Sequence, residues 1–511
     1  MPSSLGAILG AARSALAAQQ QVMQTAGHNI ANAGTAGFSR QRVELRPNFE
    51  RREANTTVGT GVRSTDVRRL RDALLDVSVR QEAGGEAAAT ARQELLQQVE
   101  GVLGEPSDTG LAAALDALWA SWSDLATTPT SRAARSVVVQ RATAVADTLA
   151  QFDSRLLALR EQTTLRLDQT LGEVNALVRQ VGALNARIVS AEVGGVGESS
   201  DLRDERDRAV DRLAELTGAV ATVRPDGSAH VMAAGYTLVE GIHVKQLVRA
   251  EDTLGRPALG FADVPGRTLR PLGGAAQTLA DFLGSDLQGV QDQLDATANG
   301  LARAVNAVHA AAQTPAGAPG APVFVDGSTE PPTFAAGASA FGRPRAPGAV
   351  TARTIRVNPA LAADPGLVSA TASAARPTGN DAALAMAALR TSGTVTVGAG
   401  AGATTVAVTF VLPDRSRAPG APDLAPTPPT AVGEFYRATA TGLGVQVQAA
   451  TSEATVRTTL AEQARARRQA VSGVNVDEEL TTLMRAQQAY AAAAKVITAA
   501  DEMSQALMQM L

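Results

Sequence analysis

The sequence predicts an elongated, multidomain α+β protein: its end helices form an antiparallel coiled-coil layer, and a discontinuous long-helix domain and an inserted β domain lie between them. Apolar residues repeat at steps of three and four near both ends, as in a heptad seam. The same spacing continues without interruption over residues 138–191, while alternating β-type segments separate the helical ones. With 511 residues, the chain exceeds one typical core, so two to four domains are expected.

Residues 1–43 predict a helix followed by a loop rich in Asn and Gly. The helical repeat ends within 27–34, where Asn and Gly favour the left-handed backbone that terminates helices. One face of this helix therefore needs a partner. The seam that we assign to assembly consists of Leu5, Leu9, Leu16, Met23 and Ile30.

Residues 471–511 predict the partner helix. Asn475 is placed to cap it, Glu478 holds the capping-box position, and the acids of its first turn meet the positive end of the helix dipole. Residues 1–43 contain three Arg and no acid, so charge favours pairing, although exposed ion pairs contribute under about 1 kcal/mol each and apolar burial must dominate. The start and seam of this helix comprise Gly473, Val474, Asn475, Asp477, Glu478, Glu479, Leu480, Leu483, Tyr490, Ile497, Leu507 and Leu511.

The middle of the chain is predicted to alternate between helical and β-type segments. Trp119 and Trp122 share a helix face and are expected in the core, and a helix over 72–102 is expected to break at Gly84 and Gly85. If all middle domains lie at one end of the terminal layer, connectivity requires the two end helices to be antiparallel. The predicted segments are an extended connector (44–85), a helical rod domain with a small β element at 218–250 (86–311), an inserted β-rich region with a Pro-rich linker (312–430), and a helix returning alongside the long one (431–470).

Three charged clusters are interpreted as solvated helix faces. They are the arginine-rich stretches at 68–71 and 465–468 and the alternating charges of 201–208. For the two arginine stretches, a contact with an acidic surface of another subunit is the alternative.

The sequence contains no pattern that predicts catalysis, a cofactor or a metal site. The absence of cysteine excludes disulfides, thiol nucleophiles and cysteine-ligated zinc. Glycines at 398–402 fit a dinucleotide-loop pattern, but a strand and not a helix follows them, which favours a turn. His28, His230, His243 and His309 lack metal-ligand spacing, although His230 and His243 could meet across a hairpin. The adjacent acids at 477–479 would diverge on a helix, unlike a glycosidase pair.

Charge and hydropathy restrict the partners and the location. The net charge of −4 argues against a nucleic-acid partner, and no run of about 18 apolar residues predicts a membrane span. No Sec-type signal pattern opens the chain. From the residues alone, we would expect a cytoplasmic protein.

Two segments resemble the axial proteins of the bacterial flagellum, most closely the hook-associated branch. Residues 31–41 (ANAGTAGFSRQ) resemble the N-terminal signature of that family, and residues 472–479 (SGVNVDEE) resemble the C-terminal one. The loop residues that we assign to the signature are Asn29, Asn32, Thr35, Gly37, Phe38, Arg40 and Gln41.

The resemblance implies a structural subunit of the hook-filament junction and no enzyme. It implies secretion through the flagellar export channel without signal cleavage, and an extracellular location. The implied partners are further copies of the chain, the hook protein, a second junction protein and an export chaperone on the C-terminal helix. Met503, Met508 and Met510 predict either helix core or a surface that serves two partners in turn. Alternatives are another axial protein of the hook or distal rod, a wall hydrolase on a flagellar scaffold, and a cytoplasmic coiled-coil signalling protein.

Overall fold

The computed structural model describes residues 2–509 except 49, 54–55, 194–197, 328–349, 374, 377 and 415–422. The helices of the described residues are α1 (Pro2–Ala31), α2 (Ala73–Leu103), α3 (Leu111–Thr127), α4 (Arg132–Glu192), α5 (Ser200–Thr217), α6 (Gly274–Asp281), α7 (Leu287–Ala310), α8 (Pro359–Ala363), α9 (Asp381–Ala388), α10 (Val432–Ser472) and α11 (Val476–Gln509). The strands are β1 (Gln41–Pro47), β2 (Glu50–Glu53), β3 (Thr56–Gly59), β4 (Val62–Arg69), β5 (Val220–Val223), β6 (Ala229–Ala233), β7 (Tyr236–Glu240), β8 (His243–Val244), β9 (Leu247–Glu251), β10 (Pro257–Phe261), β11 (Phe324–Asp326), β12 (Ile355–Val357), β13 (Thr394–Val397) and β14 (Thr404–Ala407).

The first and last helices pack side by side along their length. Asn29 in the last turn of α1 donates a hydrogen bond to Glu479 in the first turn of α11, at 3.1 Å, so the helices run in opposite directions. The predicted α+β architecture with an antiparallel pair of terminal helices is confirmed. We call α1 and α11 together the terminal pair.

The segment after α1 is a β-hairpin that packs against it. Strands β1 and β4 pair antiparallel from Gln41 opposite Arg69 to Pro47 opposite Val62, with a bulge after Glu44, and β2 pairs with β3 at the far end. Both β1 and β4 contact α1. The predicted connector is therefore extended only as far as this hairpin, since the rest of 44–85 already belongs to α2.

Helix α2 is continuous, so the predicted break at Gly84 and Gly85 is wrong. A Cβ on Gly84 would lie 2.8 Å from the carbonyl oxygen of Ala214, which means that glycine here permits close packing against the end of α5. The returning helix α10 packs along α2. It does not lie mainly along the long helix, as the sequence led us to expect, and both α10 and α2 bury several alanines.

Helix α4 is the longest element, with 61 residues, and spans roughly 90 Å at 1.5 Å per residue. Ser131 caps it by accepting a hydrogen bond from the amide of Ala134. Its predicted apolar face is buried from residue 138 to residue 163. At the next two turns the buried residues are Leu167 and Leu171, one residue beyond Arg166 and Thr170 where the predicted spacing falls, because 3.6 residues per turn differ from a strict 3.5 repeat. The predicted face is buried again at Val174, Val181, Leu184 and Ile188.

The rod domain packs around α4. Helices α3, α5, α6 and α7 contact it, and Trp119 and Trp122 are buried in the core as predicted. Helix α6 continues through a π-helical turn (Phe282–Asp286) into α7. The β element is a four-stranded antiparallel sheet, β5-β6-β7-β8, and it is followed by a β9-β10 hairpin that extends it beyond the predicted end at residue 250.

The described residues of 312–430 form two short antiparallel ladders, β11-β12 and β13-β14, together with small helices. We expected a β-rich inserted domain here. Instead, Phe324, Ile355 and Phe410 join the same apolar core as the rod helices. The glycine-rich segment between β13 and β14 is a hairpin turn, with positive φ at Gly398 and Gly400, as predicted.

Candidate functional site

The segment that follows α1 turns the chain back next to the start of α11. Gly37 has φ +74°, and a Cβ at this position would lie 2.5 Å from the side chain of Arg208, so both backbone angle and space require glycine. Phe38 packs its ring edge-to-face against His28, with centroids 5.4 Å apart. Asn32 donates to the carbonyl of His28, and Thr35 donates to Asn32. We call residues 32–41 the signature loop.

Arg40 joins the signature loop to α11. Its Nε donates to Glu479 at 2.6 Å and its Nη1 donates to Glu478 at 2.7 Å. These carboxylates raise the pKa of Arg40 against the opposing effect of desolvation. Glu479 is almost fully buried and also accepts from Asn29. Two signature residues and the predicted acids of α11 are thus brought into direct contact.

Two of the acids that the sequence analysis weighed as a glycosidase pair take part in this contact. The positive guanidinium of Arg40 binds both Glu478 and Glu479, so each carboxylate is engaged in an ion pair within the chain. Asn475 caps α11 as predicted, accepting from the amides of Asp477 and Glu478.

Asn29 and Gln41 close the loop back onto α1. The Asn29 amide donates to the carbonyl of Gln41 at 2.8 Å, and its Oδ1 accepts from the backbone amide of Gln41 at 2.9 Å. Asn29 is 1% exposed. A buried Asn with both ends satisfied fixes the start of β1 against the end of α1.

Asp204 of α5 binds the signature loop from the rod domain. Its carboxylate accepts from the backbone amide of Ser39 at 2.9 Å and from the Ser39 hydroxyl at 2.7 Å. Arg69, at the end of β4, donates to Asp204 at 2.7 Å. Sequence reasoning missed both Asp204 and Ser39.

Asp204 belongs to a buried ionic cluster, so the interpretation of 201–208 as a solvated face is wrong. The cluster contains as many arginines as carboxylates and joins β4, α2, α4, α5 and α10. Because the partners come from distant segments, the alternation of charges over 201–208 did not by itself indicate burial. Its members are Arg69, Arg71, Arg80, Arg203, Arg206 and Arg468 with Asp76, Glu192, Glu198, Asp204, Asp207 and Asp211.

The two arginine stretches also differ from the prediction. Arg69 ends a strand and Arg71 follows it, and their side chains are only 7% and 12% exposed, whereas that of Arg68 is 57% exposed. In α10, Arg465 binds Glu86 and Arg468 binds Asp211, both within the same chain. Neither stretch is a uniformly solvated helix face.

The cluster strongly shifts two pKa values. Burial alone would raise the pKa of Asp207, but Arg71, Arg69 and Arg80 lower it to about 2. Desolvation, together with the charges of Arg203, Arg69 and Arg80, lowers the pKa of Arg206 to about 10, and the opposing carboxylate of Asp207 lies 3.9 Å away. Arg206 donates instead to the carbonyl of Gly227 at 2.6 Å. Arg206 is the least compensated charge of the cluster.

The N-terminal seam faces α11 and the hairpin. Leu5, Leu9, Leu16, Met23 and Ile30 are all half-buried, and small neighbours such as Ala12 and Ala26 are buried fully. The terminal pair therefore packs through alanine at close range, and its larger apolar side chains lie partly open at the margins.

The C-terminal seam is divided between two faces of α11. Leu483 and Ile497 are half-buried and Ala486 and Ala500 are buried, whereas Leu480 and Tyr490 are 44% and 38% exposed. Gly473 and Val474, which precede the helix, are half-buried. Leu511, Met510 and the side chain of Leu507 lie outside the described residues. Met503 and Met508 are exposed.

The histidines serve structural roles where the structure describes their contacts. His309 is buried beside Trp122, accepts from the amide of Ser369 at 2.9 Å, and hydrogen-bonds through Nδ1 to the carbonyl of Ala321. Desolvation lowers its pKa to about 4, so the ring is neutral. Within the described ranges, no group of His, Asp or Glu side chains is arranged to hold a metal ion.

None of the described helices has an apolar stretch long enough to cross a membrane.

Two family models match this chain. The family described as "Flagellar hook-associated protein FlgK helical domain" matches residues 96–324, and the family described as "Flagellar basal body rod FlgEFG protein C-terminal" matches residues 468–510. The first covers α3 to α7 and the second covers α11. The matches thus fall on the rod domain and on one partner of the terminal pair.

Individual proteins with related sequences carry consistent names. "Flagellar hook-associated protein 1" of Bacillus subtilis (strain 168) is 27% identical over 97% of this chain and 96% of that protein. The protein of the same name from Salmonella typhimurium is 26% identical, over 60% of this chain and 57% of its own length. The solved structure of the flagellar hook junction protein FlgK from Burkholderia pseudomallei superimposes with a TM-score of 0.56 at 18% identity, covering 78% of this chain and all of that one, and shows a similar fold.

Proposed function

The chain belongs to the family of flagellar hook-associated protein 1, and from this premise we propose that it builds the junction between hook and filament by self-assembly of its terminal helices. It is a structural protein of the bacterial flagellum. Its partners in this role are further copies of the chain, the hook protein and a second junction protein.

The observation that best supports assembly through the terminal pair is the apolar side of α11 that α1 leaves open. Val476, Leu480 and Met484 recur every fourth residue and are 41%, 44% and 54% exposed. Exposed apolar side chains at helical spacing are typical of a helix-in-groove interface. Head-to-tail packing of such faces between copies produces a ring or helical lattice.

The terminal pair orders fully only when neighbouring subunits cover it. Its interface consists largely of alanine, so the pair buries little area against the entropy of ordering two helices of about thirty residues. Incomplete order would keep exported chains from polymerising early. Proteolysis of the dilute monomer tests this: rapid cleavage within 1–20 and 490–511 is expected, and full protection of both ends would refute it.

The C-terminal helix also binds an export chaperone before assembly. Exposed Met503 and Met508 supply flexible apolar side chains that suit a second partner. The chain then leaves through the flagellar export channel without cleavage of a signal peptide, and is located outside the cell. Deletion of 473–511 should abolish chaperone binding, and retained affinity would refute the proposal.

A gene deletion in a motile bacterium tests the function as a whole. We expect hooks without filaments and filament protein lost to the medium, with both defects repaired by a plasmid copy of the full chain. Filaments of normal length on the deletion strain would overturn the assignment. Another axial protein of the hook or distal rod is the second candidate, but a 61-residue helix and small sheets favour the junction protein.

An enzymatic role as a wall hydrolase has less support. Arg40 binds both neighbouring carboxylates of the C-terminal signature, which removes the most suggestive acid pair from catalysis. A muralytic assay on the purified chain should give no activity above a heat-denatured sample.

A further inference from the structure

We propose that the signature loop is a joint that fixes the direction of the terminal pair relative to the rod domain, and that Asp204 is the positioning residue that seats this joint. The proposal rests on contacts within one chain and does not depend on the function proposed above.

Three consecutive loop residues each bind a different helix. Ser39 binds α5 through Asp204, Arg40 binds α11 through Glu479, and Gln41 binds α1 through Asn29. The distances in these contacts lie between 2.6 and 2.9 Å. Three adjacent residues with separate anchors leave the backbone little freedom to rotate. The helices that they anchor are therefore held at fixed relative positions.

Asp204 ties both strands of the hairpin at their base. Ser39 lies two residues before β1, and Arg69 ends β4 directly opposite Gln41. One carboxylate thus accepts from the chain entering the hairpin and from the chain leaving it. Asp204 is 2% exposed, so solvent does not replace these bonds if one partner moves.

The rest of the ionic cluster holds α5 itself. Asp207 accepts from Arg69 and Arg71 at 2.8 Å, and Asp211 accepts from Arg80 of α2 and Arg468 of α10 at 2.7 Å. Asp204, Asp207 and Asp211 recur at helical spacing on one face of α5. The joint is thereby attached to the rod domain through several elements and not through α5 alone.

The geometry assigns the signature loop a role inside the subunit. Its loop residues are bound to their own chain, so they set how the terminal pair leaves the rod domain. In any assembly, the same angle would then recur in every copy. Asp201 lies one turn earlier on α5 and serves as a comparison, since its carboxylate is exposed and accepts a longer bond, 3.3 Å, from the side chain of Gln41.

The chain lacks cysteine, so two introduced cysteines can carry spin labels without background. We place them at Gln24→Cys, close to the loop end of α1, and Arg187→Cys, on the exposed face of α4. Both labels lie near the joint, so order at the far tips of the terminal pair does not affect the measurement. Double electron–electron resonance on the full-length monomer reports the distribution of distances between them.

A narrow distribution is expected for the parent chain, and its width should at least double in Asp204→Asn. Asp201→Asn, on the same helix, should leave the width unchanged. Hydrogen exchange of the Ser39 amide should become at least tenfold faster in Asp204→Asn, while buried α4 amides change less than twofold. A broad distribution in the parent chain, or equal loosening of loop and α4, would overturn the proposal.

Ser39→Ala separates the joint from the ionic cluster. It removes the hydroxyl that donates to Asp204, and with it a 3.5 Å bond from Arg71, but leaves the contact between Arg69 and Asp204 in place. We expect a smaller broadening in the same direction. Broadening in Asp204→Asn together with no change in Ser39→Ala would assign the effect to the ion pairs alone and refute the role of the loop.

Discussion

Replacing Glu479 with Gln tests whether the contact with Arg40 holds the terminal pair together. The carboxylate accepts from Arg40 Nε at 2.6 Å and from Asn29 Nδ2 at 3.1 Å, and its side chain is 4% exposed. A Gln side chain has one acceptor and one donor group, so one of the two bonds must be lost. The remaining bond also loses its charge assistance.

The expected cost is about 2 kcal/mol. Loss of one neutral hydrogen bond contributes roughly 1 kcal/mol, and weakening of the charged one contributes about as much. The larger penalty for breaking a fully buried ion pair does not apply, because Arg40 is 24% exposed and keeps Glu478. A local opening equilibrium of the α1 end should therefore increase roughly 30-fold.

Hydrogen exchange of the amides of residues 26–31 measures that opening. Glu478→Gln is the matched control, since its carboxylate is 58% exposed and binds the same arginine at 2.7 Å. A surface pair contributes under about 1 kcal/mol, so exchange should increase less than fivefold. Equal effects of the two substitutions, or no effect of either, would refute the reasoning that burial makes Glu479 the principal anchor.

Three further predictions concern the rod domain. Gly84→Ala should lower the free energy of unfolding by about 1–3 kcal/mol, because the new methyl group overlaps a carbonyl of α5. Gly101→Ala, on the open side of the same helix, should raise it by up to about 1 kcal/mol. Urea midpoints measure both changes, and a stabilised Gly84→Ala variant would contradict the packing. Leu156→Ala should lower the free energy of unfolding by about 2–5 kcal/mol in the same assay, because Leu156 is fully buried. Leu165 is 57% exposed, so Leu165→Ala should lower it by under about 0.5 kcal/mol. Similar losses in the two variants would contradict the assigned buried face of α4. The pKa of His309 is about 4 in the folded chain and near 6.5 in the unfolded chain. Its contribution to the free energy of unfolding is therefore complete above pH 6.5 and declines as the pH falls towards 4, by up to about 1.4 kcal/mol per pH unit. The free energy of unfolding, measured at several pH values, should depend less on pH in His309→Gln, and an equal slope would contradict burial of a neutral ring.

Local periodicity predicted the helices of this fold well. The two end helices and α4 follow from apolar spacing, and the Asn475 cap follows from residue type and position. These features depend on residues within a few turns of one another. In α4 such reasoning fails locally at Leu167 and Leu171, where the buried residue lies one position beyond the predicted spacing, and it agrees with the structure again from Val174 onwards.

Contacts between distant segments could not be predicted in the same way. The charges of α5 resemble an exposed face until Arg69 and Arg71 are brought against them, more than 130 residues away along the chain. The spacing of Asp204, Asp207 and Asp211 was the one available signal, since three acids on a single face need either solvent or cations. Likewise, the sequence pattern of α10 does not indicate which helix it packs against, because that depends on tertiary contacts.

The antiparallel terminal pair has a consequence for the order of folding. Arg40 and Glu478 are separated by 438 residues, and closing so long a flexible loop would cost about 5 kcal/mol in chain entropy. Packing of α10 along α2 shortens that loop, and Ser472 at the end of α10 accepts a hydrogen bond from the backbone amide of Arg40 at 2.9 Å. We therefore expect the central helices to fold before the two extremities meet.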